Sequence, residues 1–206
     1  KKFLFLVVFV FTIINTNLMV LAGELKVTTN NEEKVKDNYK KVYFAGGCFW
    51  CMEESFEKIN GVIKSISGYS GGNLKNPSYK DVIYKDTGHV ETIEITYDPE
   101  IISYDDLLAV FWKNIDPFDE YGQFCDKGKS YRSVIFFQND KQKKTIYKSK
   151  KEIESQFDSN IFTLIWKFEK FYKAEVEHQN YYQKNFLRYL AYKKACQREE
   201  VLKKIW

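Results

Sequence analysis

The chain is poor in histidine, proline and cysteine. Of its 206 residues, two are His, three are Pro and four are Cys. Cys48 and Cys51 could supply half of a zinc site, but Cys125, His178 and Cys196 are scattered and give no second close pair. A closed tetrahedral centre needs four ligands, so no metal is expected. Pro77, Pro99 and Pro117 offer no convincing cis-proline to face a thiol pair. That weighs against a thioredoxin-like disulfide oxidoreductase built on Cys48-Phe49-Trp50-Cys51, which stays as the alternative function. Excess charge is also small. The net charge is +4, and without Lys1 and Lys2 it is 4 − 2 = +2, too little to argue for nucleic acid. The lysines over 141–151 alternate with polar and apolar residues, as on a solvated helix face. There is no internal repeat and no long low-complexity tract.

Apolar and aromatic residues are plentiful. Hydrophobic residues make up 44% of the chain, with 15 Tyr and 17 Phe. This argues against disorder and supports one ordinary domain with a real core. The N-terminal part differs. Lys1-Lys2 precede an apolar run over 3–14, and Leu18-Met19-Val20-Leu21-Ala22 follows the polar Asn15-Thr16-Asn17. Val20 and Ala22 suit the small-residue positions before a signal-peptidase cut. A retained anchor is the other reading, because 3–22 is uncharged and about 20 apolar residues span a bilayer. Segment 1–22 is therefore expected to be a signal peptide or membrane anchor, and the folded part to be exported. Residues 23–39 form a polar tether, and 40–206 a catalytic domain.

Periodicity places strands at 41–45, 62–69, 90–97, 131–137 and 163–168. It places helices at 49–60, 78–85, 103–113, 140–157 and 178–195. Ser103 with Asp106 resembles a capping box, and Asp98-Pro99 ends the third strand. The order suggests an α+β fold of two layers, with helices on one side of the sheet.

Two places carry chemistry. Gly46-Gly47-Cys48-Phe49-Trp50-Cys51 puts a thiol at a strand-to-helix corner, where helix dipole and free N–H groups favour thiolate. In Val90 to Tyr97, Glu91 shares a strand face with Ile93, Ile95 and Tyr97, opposite Thr92, Glu94 and Thr96. Burial there raises a carboxyl pKa, and a protonated acid at neutral pH is what a general acid requires.

Several motifs then converge. Gly46-Gly47-Cys48-Phe49-Trp50 resembles the signature of the peptide methionine sulfoxide reductase A family. Gly68-Tyr69-Ser70-Gly71-Gly72, Asn76-Pro77-Ser78-Tyr79 and Thr87-Gly88-His89-Val90-Glu91 fit in the same order. So do Gly122-Gln123-Phe124-Cys125-Asp126, Tyr131-Arg132-Ser133 and His178-Gln179-Asn180-Tyr181. The resemblance covers roughly 40–185. It implies a ferredoxin-like two-layer sandwich with a mixed sheet and an irregular C-terminal tail. It also implies reduction of methionine S-sulfoxide, free or in proteins. By resemblance, Cys48 is the nucleophile, Glu91 protonates the departing oxygen, and Tyr79 and Tyr131 hydrogen-bond that oxygen. Asp126 supports the site, and Phe49 and Trp50 wall a pocket for the substrate methyl group. Cys48 becomes a sulfenic acid, which a second thiol condenses with. An external thiol reductant, thioredoxin or a thioredoxin-like protein, then resets the enzyme. No bound cofactor is implied, and a monomer is expected.

Three thiols are candidates to resolve Cys48. Cys196 is favoured, in a C-terminal segment expected to move, although Ala195-Cys196-Gln197-Arg198-Glu199 departs from glycine-rich family tails. Cys51 lies one helical turn from Cys48, and otherwise reads as a small core residue. Cys125 adjoins Asp126. His89, His178 and Arg132 are expected to be hydrogen-bonded scaffolding or anchors. Lys173 and Phe186 stand where the family often has proline.

Overall fold

A computed structural model describes residues 38–206, so segment 1–22 and nearly all of 23–39 lie outside the described residues. Strand β1 (Lys40–Gly46) buries Val42 and Phe44 on one face and Tyr43 and Ala45 on the other. Double burial marks a central strand. It pairs antiparallel with β3 (Val90–Tyr97) on one side and β6 (Ser133–Phe137) on the other. β2 (Val62–Ser70) pairs with β3 and with edge strand β8 (Phe171–Lys173). β7 (Leu164–Lys167) runs parallel to β6 at the other edge. The result is a mixed six-stranded sheet in the order β7-β6-β1-β3-β2-β8.

Three helices cover one face. α1 (Phe49–Glu57), α3 (Tyr104–Lys113) and α4 (Asp140–Phe157) bring Phe49, Met52, Phe56, Leu107, Phe111 and Ile146 onto Val42, Phe44, Ile93 and Ile95. Burying one such side chain contributes about 1.5–3 kcal/mol, so this layer dominates the stability of the sheet. Ser103 caps α3 in a full capping box with Asp106, and Ser78 with Asp81 caps α2 (Tyr79–Tyr84) the same way.

The opposite face is covered without a helix. Tyr43, Ala45, Val90, Val134 and Phe136 meet Leu164, Trp166, Phe168 and Phe171. Thr92 and Glu94, on the face opposite Glu91, are therefore buried as well. Glu94 is satisfied there by Lys41 Nζ and the Tyr43 hydroxyl, each at 2.8 Å.

The C-terminal part departs most from expectation. The single helix expected over 178–195 is a 3₁₀ turn (Val176–His178), α5 (Tyr181–Lys184) and α6 (Phe186–Ala195). The irregular tail is α7 (Arg198–Ile205). Left-handed Asn180 (φ 54°) and Gln197 (φ 51°) break the helical run. α7 is docked: Trp206 Nε1 donates to the Ile115 carbonyl at 3.2 Å, and its ring meets Phe157 at 5.0 Å. The strand expected over 131–137 starts at Ser133, because Lys129–Tyr131 is a 3₁₀ turn. A hairpin of two-residue strands, β4 (Gly122–Gln123) and β5 (Asp126–Lys127), is too short to leave a periodic signal. No helix among the described residues is long and apolar enough to cross a membrane.

Candidate active site

β1 ends on two glycines that let the chain turn sharply into α1. A Cβ on Gly46 would lie 2.6 Å from Met52 Sδ. Gly47 has φ 76°, and a Cβ there would lie 2.5 Å from Gln123 Cβ. The corner thus brings β4 against the start of α1. Cys48 is the N-cap residue of α1, and its carbonyl accepts from Cys51 N and Met52 N at 3.1 and 3.3 Å.

Glu91 enters from β3. It is 2% exposed, and its Oε2 accepts from the Phe49 amide at 2.9 Å. Burial pushes its carboxyl well above the usual carboxylate range; the Phe49 N–H opposes this, and the charges of Asp126 and Cys51 add to it. Glu91 therefore keeps its proton to a higher pH than a free carboxyl does. Tyr79, at the start of α2, is set by Glu175, which accepts from its amide at 2.7 Å and from the Tyr69 hydroxyl at 2.8 Å. Tyr131 is hydrogen-bonded to Tyr79. Burial pushes the Tyr79 phenol up to about 12 and raises that of Tyr131 further, so both hold their protons. Asp126 comes from β5 and accepts from the Tyr192 hydroxyl of α6. Burial raises its pKa against that hydrogen bond.

These groups meet. A cavity of about 70 Å³ is lined by Cys48, Phe49, Trp50, Tyr79, Glu91, Asp126, Tyr131 and Tyr192. It holds a buried thiol, a buried carboxyl with a raised pKa and three phenols against an apolar wall. That wall is built by stacking: Trp50 lies on Tyr181 with centroids 3.8 Å apart, and His178 packs 5.3 Å from Phe49 and 4.4 Å from Tyr79. A larger hollow, of about 640 Å³, is lined by Lys75, Lys143, Lys167 and Lys170 but by no cysteine.

A family profile described as Peptide methionine sulfoxide reductase matches residues 40–206. A Listeria welshimeri protein named Peptide methionine sulfoxide reductase MsrA is 46% identical over 83% of this chain and 98% of its own length. The structure of reduced Mxr1 from Saccharomyces cerevisiae superposes with TM-score 0.68 at 32% identity, over 72% of this chain and 86% of that one. Methionine sulfoxide reductase A of Corynebacterium diphtheriae superposes with TM-score 0.66 at 28% identity, over 73% and 77%.

The chain belongs to the peptide methionine sulfoxide reductase family. It is an oxidoreductase that reduces methionine sulfoxide. Within this reductase the cysteines differ from expectation. Cys196 is paired with Cys125 in a disulfide, with Cα atoms 4.9 Å apart. It caps the end of α6 between two docked helices, so it is no free thiol on a moving tail. The free thiols are Cys48 and Cys51, both buried and hydrogen-bonded to each other. Burial and the neighbouring acids push Cys48 up, against the expectation from its helix N-terminus. The hydrogen bond from Cys48 lowers Cys51 to about 7, with help from Arg198 and Tyr189. Of the two thiols, Cys51 is the one shifted toward thiolate.

The histidines divide. His89 is scaffolding as expected, with Nδ1 accepting from Gly72 N at 3.1 Å and Nε2 2.8 Å from the Leu74 carbonyl. His178 instead serves as an aromatic wall: burial keeps it neutral, and its Nδ1 has no partner among the described residues. Arg132 is an anchor, donating to the Lys129 carbonyl at 3.3 Å and lying 5.6 Å from the Trp166 ring centroid. Cys125, Asp126 and Cys196 bring ligand atoms within 4.8 Å of one another, but the two sulfurs are bonded together and offer no thiolate to a metal. Sequence reasoning missed Tyr189 and Tyr192. Their spacing of three along one helix face was the available signal.

Proposed function

We propose that this chain reduces the S epimer of methionine sulfoxide, free or in proteins, through Cys48 as nucleophile and Cys51 as resolving thiol. One observation carries the reading: the buried Glu91, its carboxyl pKa raised by desolvation, and the Cys48 thiol line the same cavity. As the sulfoxide docks, the proton of the thiol pair moves so that Cys48 attacks the substrate sulfur. Glu91 protonates the oxygen, while Tyr79 and Tyr131 donate hydrogen bonds to it. Such donors act strongly where water is excluded. Phe49 and Trp50 hold the S-methyl group. The oxygen ends on Cys48 as sulfenic acid, and methionine leaves. Asp126, gripped by Tyr192, supports that wall.

Cys51 is the free thiol already in contact with Cys48, which favours it over Cys196 for resolution. A thioredoxin-like protein outside the cytoplasm then reduces the new disulfide. Export rests on the sequence of 1–22, with 40–206 as the catalytic domain. We also read the fold as ferredoxin-like, supported by the order β6-β1-β3-β2 among the central strands. The test is incubation with separated S and R epimers and dithiothreitol. Turnover of S alone is expected, and no turnover of S would end the reading.

A further inference from the structure

Arg198 is a buried charge with no carboxylate in direct ion-pair contact among the described residues, although its field is felt by Asp126. It is 3% exposed. Its Nη2 donates to the Asn114 carbonyl and lies 3.3 Å from Met52 Sδ, and its Cζ is 4.4 Å from the Phe124 ring centroid. Removing a guanidinium from water costs several kcal/mol unless something nearby balances it. A neutral carbonyl, a thioether and a ring face do this only in part.

The chain goes to some length to hold the group there. Arg198 opens α7 two residues after Cys196, and Phe124 immediately precedes Cys125. The Cys125–Cys196 disulfide therefore ties together the two backbones whose side chains stack. On its other side the guanidinium packs against Met52, the residue after Cys51.

We propose that Arg198 is a positioning residue for the resolving half-reaction, supplying the positive charge that stabilises the Cys51 thiolate as it attacks the Cys48 sulfenic acid. This rests on the reading of Cys51 as the resolving thiol. In that step the Cys51 sulfur gives its electron pair to the Cys48 sulfur. An S–S bond forms, the Cys48 S–O bond breaks, and the hydroxide takes up a proton and leaves as water. Cys51 is oxidised and the Cys48 sulfur reduced. The titratable groups around Cys51 are Cys48, Glu91 from β3, Asp126 from β5, Tyr189 and Tyr192 from α6, and Arg198 from α7. Arg198 is the cation in this set. Once Cys48 is oxidised, Arg198 and the Tyr189 hydroxyl are the groups left to favour the anion. The Cys125–Cys196 pair thereby gains a positioning part in the resolving step.

The experiment follows a single turnover of the full chain with methionine S-sulfoxide, without reductant. Methionine release reports the first step, and loss of a second thiol reports resolution. In the unaltered protein, resolution is expected to have a pH midpoint below the ordinary thiol range, because Arg198 and Tyr189 still lower Cys51 after the Cys48 hydrogen bond is gone. A midpoint in the ordinary thiol range would overturn the proposal without any variant. Arg198→Gln should raise the midpoint by about one to two pH units. At pH 7 it should lower the ratio of resolution to methionine release about tenfold, the factor that one such unit implies. Arg198→Lys should restore much of both. A purely structural role would lower the melting temperature and leave the midpoint in place, and an unmoved midpoint in Arg198→Gln overturns the proposal. Cys51→Ser separates the two readings: if it still loses a second thiol at the normal rate, the assignment of Cys51 falls, whatever Arg198 does.

Discussion

Cys48, Glu91 and Cys51 divide the reaction between them, and each makes a separable prediction. Cys48→Ser is expected to abolish methionine formation, measured in a single turnover. Glu91→Gln keeps the shape of the acid but loses its proton, and should slow sulfenic acid formation by about 10²–10⁴-fold, as removal of a general acid does. The sign of the pH effect follows from the raised Glu91 pKa. The donor is intact below its raised pKa and lost as pH rises through it, so the rate should fall on the alkaline side of that pKa. In Glu91→Gln that limb should disappear, and a retained limb would assign it to another group. Cys51→Ser should still yield one methionine per chain but accumulate sulfenic acid, trapped by a dimedone-type probe.

At the scale of elements, the site depends on how α1 is seated. Glu53, on the buried side of α1, accepts from the Asn180 amide at 3.1 Å and Ser67 Oγ at 3.2 Å, joining α1 to the start of α5 and to β2. Burial raises it to about 7. An acid raised on folding contributes stability that is full below its unfolded pKa and lost as pH rises through its folded one. The chain should therefore lose thermal stability between about pH 4.3, the free glutamate value, and pH 7. Glu53→Gln should flatten that decline, read from melting temperatures across the range. The two-glycine corner is equally exacting. Gly47→Ala combines a left-handed φ with a clash on Gln123 and should destabilise by about 1–3 kcal/mol, read by denaturant unfolding. The long helices and strands were legible because their apolar residues repeat with clear periods and their ends carry caps. The breaks at Asn180 and Gln197 were not, since any residue can be forced left-handed when the flanking helices dock separately.

For the whole molecule, the Cys125–Cys196 bridge closes a separation of 71 residues across the C-terminal half. Constraining a loop of that length stabilises by about 4 kcal/mol on the chain-entropy argument. A Cys125→Ser/Cys196→Ser double variant should melt lower by several degrees, while methionine release in one turnover persists. What the sequence determined by itself was chemistry: a thiol at a glycine corner, a carboxyl on an apolar strand face, and tyrosines and an aspartate in recognisable motifs. Those features are local, or carried by short patterns, and the structure gathers all seven predicted pocket residues into one cavity. Only the tertiary structure decided which sulfurs meet. Cys196 is distant from Cys125 in the chain and adjacent in space, while Cys48 and Cys51 remain free and in contact. It also decided which thiol is shifted toward thiolate, because desolvation and neighbouring charges act through space. Arg198 and Tyr192 reach the thiol pair from helices more than a hundred residues away, and no spacing in the sequence records that approach.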